Sequence, residues 1–229
     1  MGNPQQLWDY ACMSVSQIYD APRDCDICPR LYDFIQDQRQ TYPDWHNAPV
    51  DTWVSAGGDD DVQILIVGLA PGLRGANRTG RPFTGDWAGD LLYATLQKFD
   101  LATGEYGGEP EDGLSLKHCA ITNAVRCVPP ANKPVGQEIN NCRPFLVNTI
   151  NRFKNLKSLV TLGKISHDST VRALGGKISA TPFGHGSAQT IGDYTLFSSY
   201  HCSRYNTDTG RLTEAMFEDV FAEVRSHIR

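Results

Sequence analysis

VQILIVG, residues 62–68, is a short apolar run rich in β-branched side chains and closed by glycine. A run of that length without polar alternation suits a strand buried on both faces, as in a parallel sheet. Working outward, a Gly/Arg-rich loop is followed by a helical pattern over 88–99. A second strand is expected over 118–124 and a third over 156–162. Helices are expected over 136–153 and over 164–174, the latter closed by Gly175 and Gly176. Arg143 and Pro144 form an awkward interior pair that predicts a kink in the first of these. A late strand at 194–200 precedes a last helix over 213–227. Thr213 suits its cap, and Met216, Phe217, Val220, Phe221 and Val224 recur as its apolar face. Strands alternating with helices predict an α/β fold, a single domain over 1–229 with a central, mostly parallel sheet flanked by helices.

In such sheets ligands gather beyond the carboxyl ends of the strands. Three expected strand ends carry unusual residues: the loop after Gly68, the segment TNAVRC at 122–127, and the segment YHCSRYN at 200–206. Their convergence at one rim is the first pointer to a site.

The chain has 229 residues, 40% hydrophobic and 21% charged, enough for one sizeable core. It has no apolar stretch near the ~18 residues that span a bilayer, so no membrane partner is expected. The first residues, MGNPQQLWDYACMSVSQ, lack the basic and apolar regions of a secretory signal. Gln6 stands where N-myristoylation wants Ser or Thr. The expected location is therefore cytoplasmic. A formal net charge of −5 does not point to nucleic acid, but local positive potential decides that question, and Arg74, Arg78 and Arg81 share one loop while Arg204 and Arg211 share another.

Seven cysteines in a reducing compartment read as metal chemistry more readily than as disulfides. Cys25 and Cys28 form a C-x2-C pair on one tight turn, and Cys127 and Cys142 form a second pair downstream. Four thiolates suit either zinc or a [4Fe–4S] cluster. Cys12 and Cys119 fall in apolar patterns and read as core.

The segment GLAPGLRGANRTGRPFTGD, residues 68–86, contains five glycines, which let backbone approach a ligand and expose its N–H groups. It has neither the Gly-Lys-Ser/Thr end of a phosphate loop nor a dinucleotide fingerprint. Phe83 offers an aromatic face suited to stacking on a planar base, and Asp86 a carboxylate. Asp86 is equally well placed as the N-cap of the following helix. Asn123 presents a donor and an acceptor together, as reading the edge of a planar base requires. His201 directly follows a strand, and His185 reads as a nearby loop residue outside the catalytic set.

Together GLAPG, GANRTGRPFTGD, TNAVRC, the four cysteines and YHCSRYNTDTGRLT resemble the uracil-DNA glycosylase superfamily, and within it the family 5, B-type iron–sulfur branch. The resemblance spans roughly residues 25–220 with the motifs in order. It implies a [4Fe–4S] cluster on Cys25, Cys28, Cys127 and Cys142. It implies double-stranded DNA containing a deaminated base as partner, a base flipped into a pocket, and cleavage of its glycosidic bond by a monomer. Uracil is the implied substrate, with hypoxanthine and xanthine beside it. Gly68, Leu69, Ala70, Pro71, Gly72 and Phe83 would bind the base, Asn123 would read its edge, and His201 would stabilise charge on the leaving base. Leu69-Ala70 lacks the acid or amide that many superfamily members use to position water, which leaves Asp86 for that role. Arg78, Arg81, Arg204, Tyr205 and Arg211 would contact DNA, with Arg126 as a further aid. Cys202 departs from the proline that often follows the histidine. The competing readings are a family 4-like uracil glycosylase, an iron–sulfur electron carrier, and a non-catalytic binder of damaged DNA.

Overall fold

A computed structural model describes residues 18–228. Expectations about the first seventeen residues, Cys12 included, lie outside the described residues. The run at 62–68 forms strand β1 (Ile64–Gly68), all five residues buried. The other strands are β2 (Ala102–Thr103), β3 (Ser115–Leu116), β4 (Cys119–Asn123), β5 (Ser158–Leu162), β6 (Ser187–Ile191) and β7 (Tyr194–Ser199). The main sheet has the order β4-β1-β5-β7-β6, while β2 and β3 form a separate ribbon. The pairings β1–β4, β1–β5 and β5–β7 are parallel and only β6–β7 is antiparallel. The fold is thus the expected α/β class.

The helices are α1 (Pro29–Thr41), α2 (Ala76–Thr79), α3 (Trp87–Lys98), α4 (Gly136–Arg152), α5 (Lys164–Ala173), α6 (Arg204–Asp208) and α7 (Glu214–His227). Successive strand residues point to opposite faces, and the core divides accordingly. Ile64, Ile66, Ile121, Val160 and Phe197 pack with Leu92 and Leu96 of α3 and with Phe217, Phe221 and Val224 of α7. Leu65, Val67, Ala120, Leu159 and Leu196 pack on the other face with Leu146 and Ile150 of α4 and Val171 of α5. A third cluster joins Leu31 and Ile35 of α1 to Val125, Val128 and Phe145.

The expected elements return within two residues at each end. Thr213 caps α7, its hydroxyl accepting from the Met216 N–H at 3.2 Å. Pro144 lies inside α4, which stays one helix across it. Besides the short β2, β3, α2 and α6, two further elements were not expected. The edge strand β6, SAQTI, is half-buried and largely polar, so it has no apolar run to betray it. Helix α1 begins directly after Cys28 with Pro29 in its first turn, where a missing N–H costs nothing.

Candidate active site

Parallel pairing puts the carboxyl ends of β1, β4, β5 and β7 on one rim. Gly68 and Asn123 are Cα partners across β1 and β4. The chain leaves β7 at Ser199 and reaches His201 two residues later. A cavity of about 380 Å³ opens on this rim, lined by Leu69, Ala70, Pro71, Gly72, Phe83, Asp86, Asn123 and His201, together with Trp87, Asn132, Ser203 and Arg204. That size falls in the ordinary range for small-molecule pockets, roughly 300–1,000 Å³. The three segments singled out from sequence therefore do meet.

Gly68 is there because nothing larger fits. A Cβ on it would come within 2.4 Å of Asn123 Oδ1 and 2.7 Å of Phe83 Cζ. Phe83 is a buried ring despite its loop position. It is only 7% exposed and its backbone is left-handed, with φ 53°. Bulky residues rarely adopt that region unless the surroundings impose it. Its ring faces that of His201 at a centroid distance of 6.0 Å and an interplanar angle of 28°.

Asn123 is buried at 3% exposure. Among the described residues no hydrogen bond occupies its side-chain amide, which leaves donor and acceptor for a ligand. The imidazole of His201 is also without a hydrogen bond among the described residues, and burial depresses its pKa to about 4. At neutral pH the ring is therefore uncharged, a donor through one N–H only.

Asp86 points its two carboxylate oxygens in different directions. It is the N-cap of α3, with Oδ1 accepting from the Gly89 N–H at 3.2 Å. Its other oxygen faces the glycine loop, where a Cβ on Gly75 would lie 2.7 Å from Oδ2 and one on Gly72 3.3 Å away. Desolvation raises this carboxyl above its ordinary range despite the N–H groups of Gly89 and Ala88.

Two arginine expectations need correction. Arg81 cannot meet DNA: it is 5% exposed, and its guanidinium pairs with both oxygens of Asp112 at 2.8 and 2.6 Å. Arg126 is fully buried and bonds Thr52 and Thr149 at 3.0 and 2.7 Å. Arg78 keeps a side chain 30% exposed, ion-paired to Glu109 at 2.8 Å. Arg204, Tyr205 and Arg211 are exposed beside the His201 loop. Arg204 lies 5.2 Å over the Trp87 ring and Arg211 4.5 Å over that of Tyr200. His185 stacks on Tyr200 at 4.9 Å and stays out of the cavity.

Trp87 and Asn132 were missed from sequence. Trp87 is 44% exposed at the mouth, its indole N–H donating to Thr207 Oγ1 at 3.0 Å. An aromatic following an N-cap in a suspect loop was the available signal. Asn132 sits in a proline-rich stretch and had none.

Cys25, Cys28, Cys127 and Cys142 are free thiols brought into one neighbourhood with the α1 cluster. Burial raises all four pKa values, that of Cys142 to about 11, and the charges of Cys142, Cys25 and Cys28 add to the rise at Cys127. Arg126 N–H donates to Cys142 Sγ at 3.2 Å, and Asn141 Nδ2 to Cys28 Sγ at 3.6 Å. Among the described residues, no three His, Cys, Asp or Glu side chains form a group that could hold a metal ion as placed.

A parallel sheet with a polar cavity at its rim is the class of fold in hand, and comparison with known proteins gives the family. The family model described as the Uracil DNA glycosylase superfamily matches residues 55–225. The chain belongs to that superfamily. It is 38% identical to a type-5 uracil-DNA glycosylase of Thermus thermophilus over 205 residues, 88% of this chain and 92% of that one. It is 37% identical to a type-5 uracil-DNA glycosylase of Mycobacterium leprae, covering 88% and 90% of the two chains. A type-4 uracil-DNA glycosylase of Pyrobaculum aerophilum is more distant, 29% identical over 71% of this chain.

Because the folded chain holds His201 at about 4 against an ordinary 6.5, protonation favours the unfolded state between those values. Stability from this group is whole above 6.5 and lost as pH falls toward about 4. NMR titration should find the His201 ring neutral from roughly pH 5 to 8. Denaturant unfolding of His201→Gln should lose less stability on acidification than the native chain does.

Proposed function

We propose that this chain is a monofunctional DNA glycosylase, a cytoplasmic monomer that everts a deaminated base from double-stranded DNA and hydrolyses its N-glycosidic bond. Uracil is the primary base, with hypoxanthine and xanthine also taken. The observation that carries this reading is the meeting of Phe83, Asn123, His201 and Asp86 around one cavity. The relatives named above as type-5 uracil-DNA glycosylases support the base and the bond.

Eversion costs a few kcal/mol of unstacking, which the pocket must recover. Phe83 recovers part of it by stacking on the base, and the open amide of Asn123 reads the edge of the base. The loop from Leu69 to Gly72, with small Ala70, leaves room for purines. As the glycosidic bond breaks, its electron pair moves onto the base. The neutral His201 N–H, already desolvated, stabilises that charge without reorganisation. Asp86 Oδ2 orients a water and takes its proton as the water oxygen bonds to the sugar C1′; one proton is returned through solvent to the anionic base, which leaves neutral, and an abasic site remains. The raised pKa of Asp86 makes it a better proton acceptor than an ordinary aspartate.

Arg204 lines the cavity, Tyr205 and Arg211 are exposed in the same segment, and these three are the residues offered to DNA. The two arginines meet phosphates, and Tyr205, 72% exposed, fills the gap left by the everted base. The four gathered thiols fit a [4Fe–4S] cluster by donor set: all are free, two accept N–H bonds at sulfur, and Cys28 stands at the positive end of α1. When bound, the cluster would tie α1 to the segment that leads from Asn123 into α4.

Alkali treatment after incubation with uracil-containing duplex should break the strand at the uracil; intact strands bound tightly at abasic sites would mean a binder without catalysis. Asp86→Asn separates the two roles of that residue, since asparagine caps helices as well as aspartate does. Its single-turnover rate should fall about 100-fold or more at unchanged stability, whereas a near-native rate would remove Asp86 from the chemistry. DNA affinity should fall steeply with salt, and Arg204→Ala should lower the slope of log K against log salt by about 1. Chemical analysis should find iron and acid-labile sulfide in equal amounts, both lost in Cys127→Ser; a preparation holding neither would remove the cluster.

A further inference from the structure

The segment between β2 and β3, residues 104–114, lies outside the cavity, yet its polar groups converge on the loop that carries Phe83. Asp112 is the anchor. Its Oδ1 accepts from Arg81 and from the Leu114 N–H at 2.8 and 3.0 Å, and its Oδ2 from Arg81 and the Gly107 N–H at 2.6 and 2.9 Å. The pair is buried, at 6% and 5% side-chain exposure. Arg81 extends the grip, donating to Thr84 Oγ1 at 2.7 Å and to the Pro110 carbonyl at 3.2 Å. Its guanidinium lies 4.8 Å over Trp53 and 5.7 Å over Tyr93.

Tyr106 completes the contact. Its hydroxyl donates to the Phe83 carbonyl and accepts from the Gly85 N–H, both at 3.3 Å. Tyr93 fixes the preceding residue by donating to the Pro82 carbonyl. Residues 82–85 are thus held at nearly every backbone step around a left-handed phenylalanine. A buried ion pair is a poor source of stability and a good source of geometry, because both partners must be satisfied in one arrangement. Neither Asp112 nor Tyr106 lines the cavity.

We propose that residues 104–114 act as a strut, with Tyr106 and Asp112 as positioning residues that set the Phe83 ring for stacking on the everted base. The strut rests on the glycosylase reading above for what Phe83 touches, but not for its own geometry. The Tyr106 hydroxyl also meets the Gly85 N–H, but the strut's proposed action is on the Phe83 ring, so most of its effect vanishes when that ring is absent.

Tyr106→Phe tests this gently, since it deletes one hydroxyl and leaves the Arg81–Asp112 pair intact. With uracil duplex under single-turnover conditions, Tyr106→Phe should lower the rate about fivefold in the native background. In a Phe83→Ala background the same change should cost less than about twofold. Equal losses in both backgrounds would overturn the strut. In the free protein, 4-fluorophenylalanine incorporated at position 83 should give a ¹⁹F resonance that shifts or broadens in Tyr106→Phe. An unmoved resonance would overturn the strut whatever the substrate, whereas native protein that leaves uracil DNA intact would overturn the glycosylase reading alone.

Discussion

Parallel hydrogen bonding of β1 between β4 and β5 is the constraint on which the site depends. A parallel arrangement sends every connecting helix back across the sheet and leaves the strand ends of distant segments on one edge. The register then does the finer work. With Gly68 opposite Asn123, the glycine loop and the asparagine share a rim position, and only a residue without Cβ tolerates both Asn123 and Phe83 so close. The loop that follows Gly68 has nowhere to go but over the cavity.

Desolvation governs the chemistry of that cavity. Desolvation by the surrounding protein lowers His201 to about 4 and raises Asp86, so the two groups are driven toward their uncharged forms from opposite directions. A neutral imidazole and a more basic carboxylate suit a reaction in which negative charge appears on the leaving base and a water must be oriented. Asp86 serves the helix with one oxygen and the cavity with the other.

Much of this was legible beforehand because it is local. The apolar run at β1, the capping threonine of α7 and the glycine-rich loop each announce themselves by residue type and spacing. Strand β6 did not, since an edge strand needs only one partner and little burial. Arginine was the least legible residue. Arg81 and Arg204 both stand in or beside polar loops, yet Arg81 is clamped by Asp112 and overlain by Trp53 and Tyr93, while Arg204 lies on an exposed ring at the mouth. Nothing in a loop's own residues says which distant carboxylate will reach it.

By itself, then, the sequence determined the α/β class, the order of the elements, and the candidate residues Phe83, Asp86, Asn123 and His201. These follow from periodicity, turn chemistry and motif order, all of which act over short stretches of chain. Only the tertiary structure decided the protonation of His201, the left-handed seat of Phe83, the withdrawal of Arg81 and Arg126 from the surface, and the place of Trp87 and Asn132 at the mouth. Each of those depends on burial and on partners far away in the chain, and solvent exclusion is a property of the packed whole.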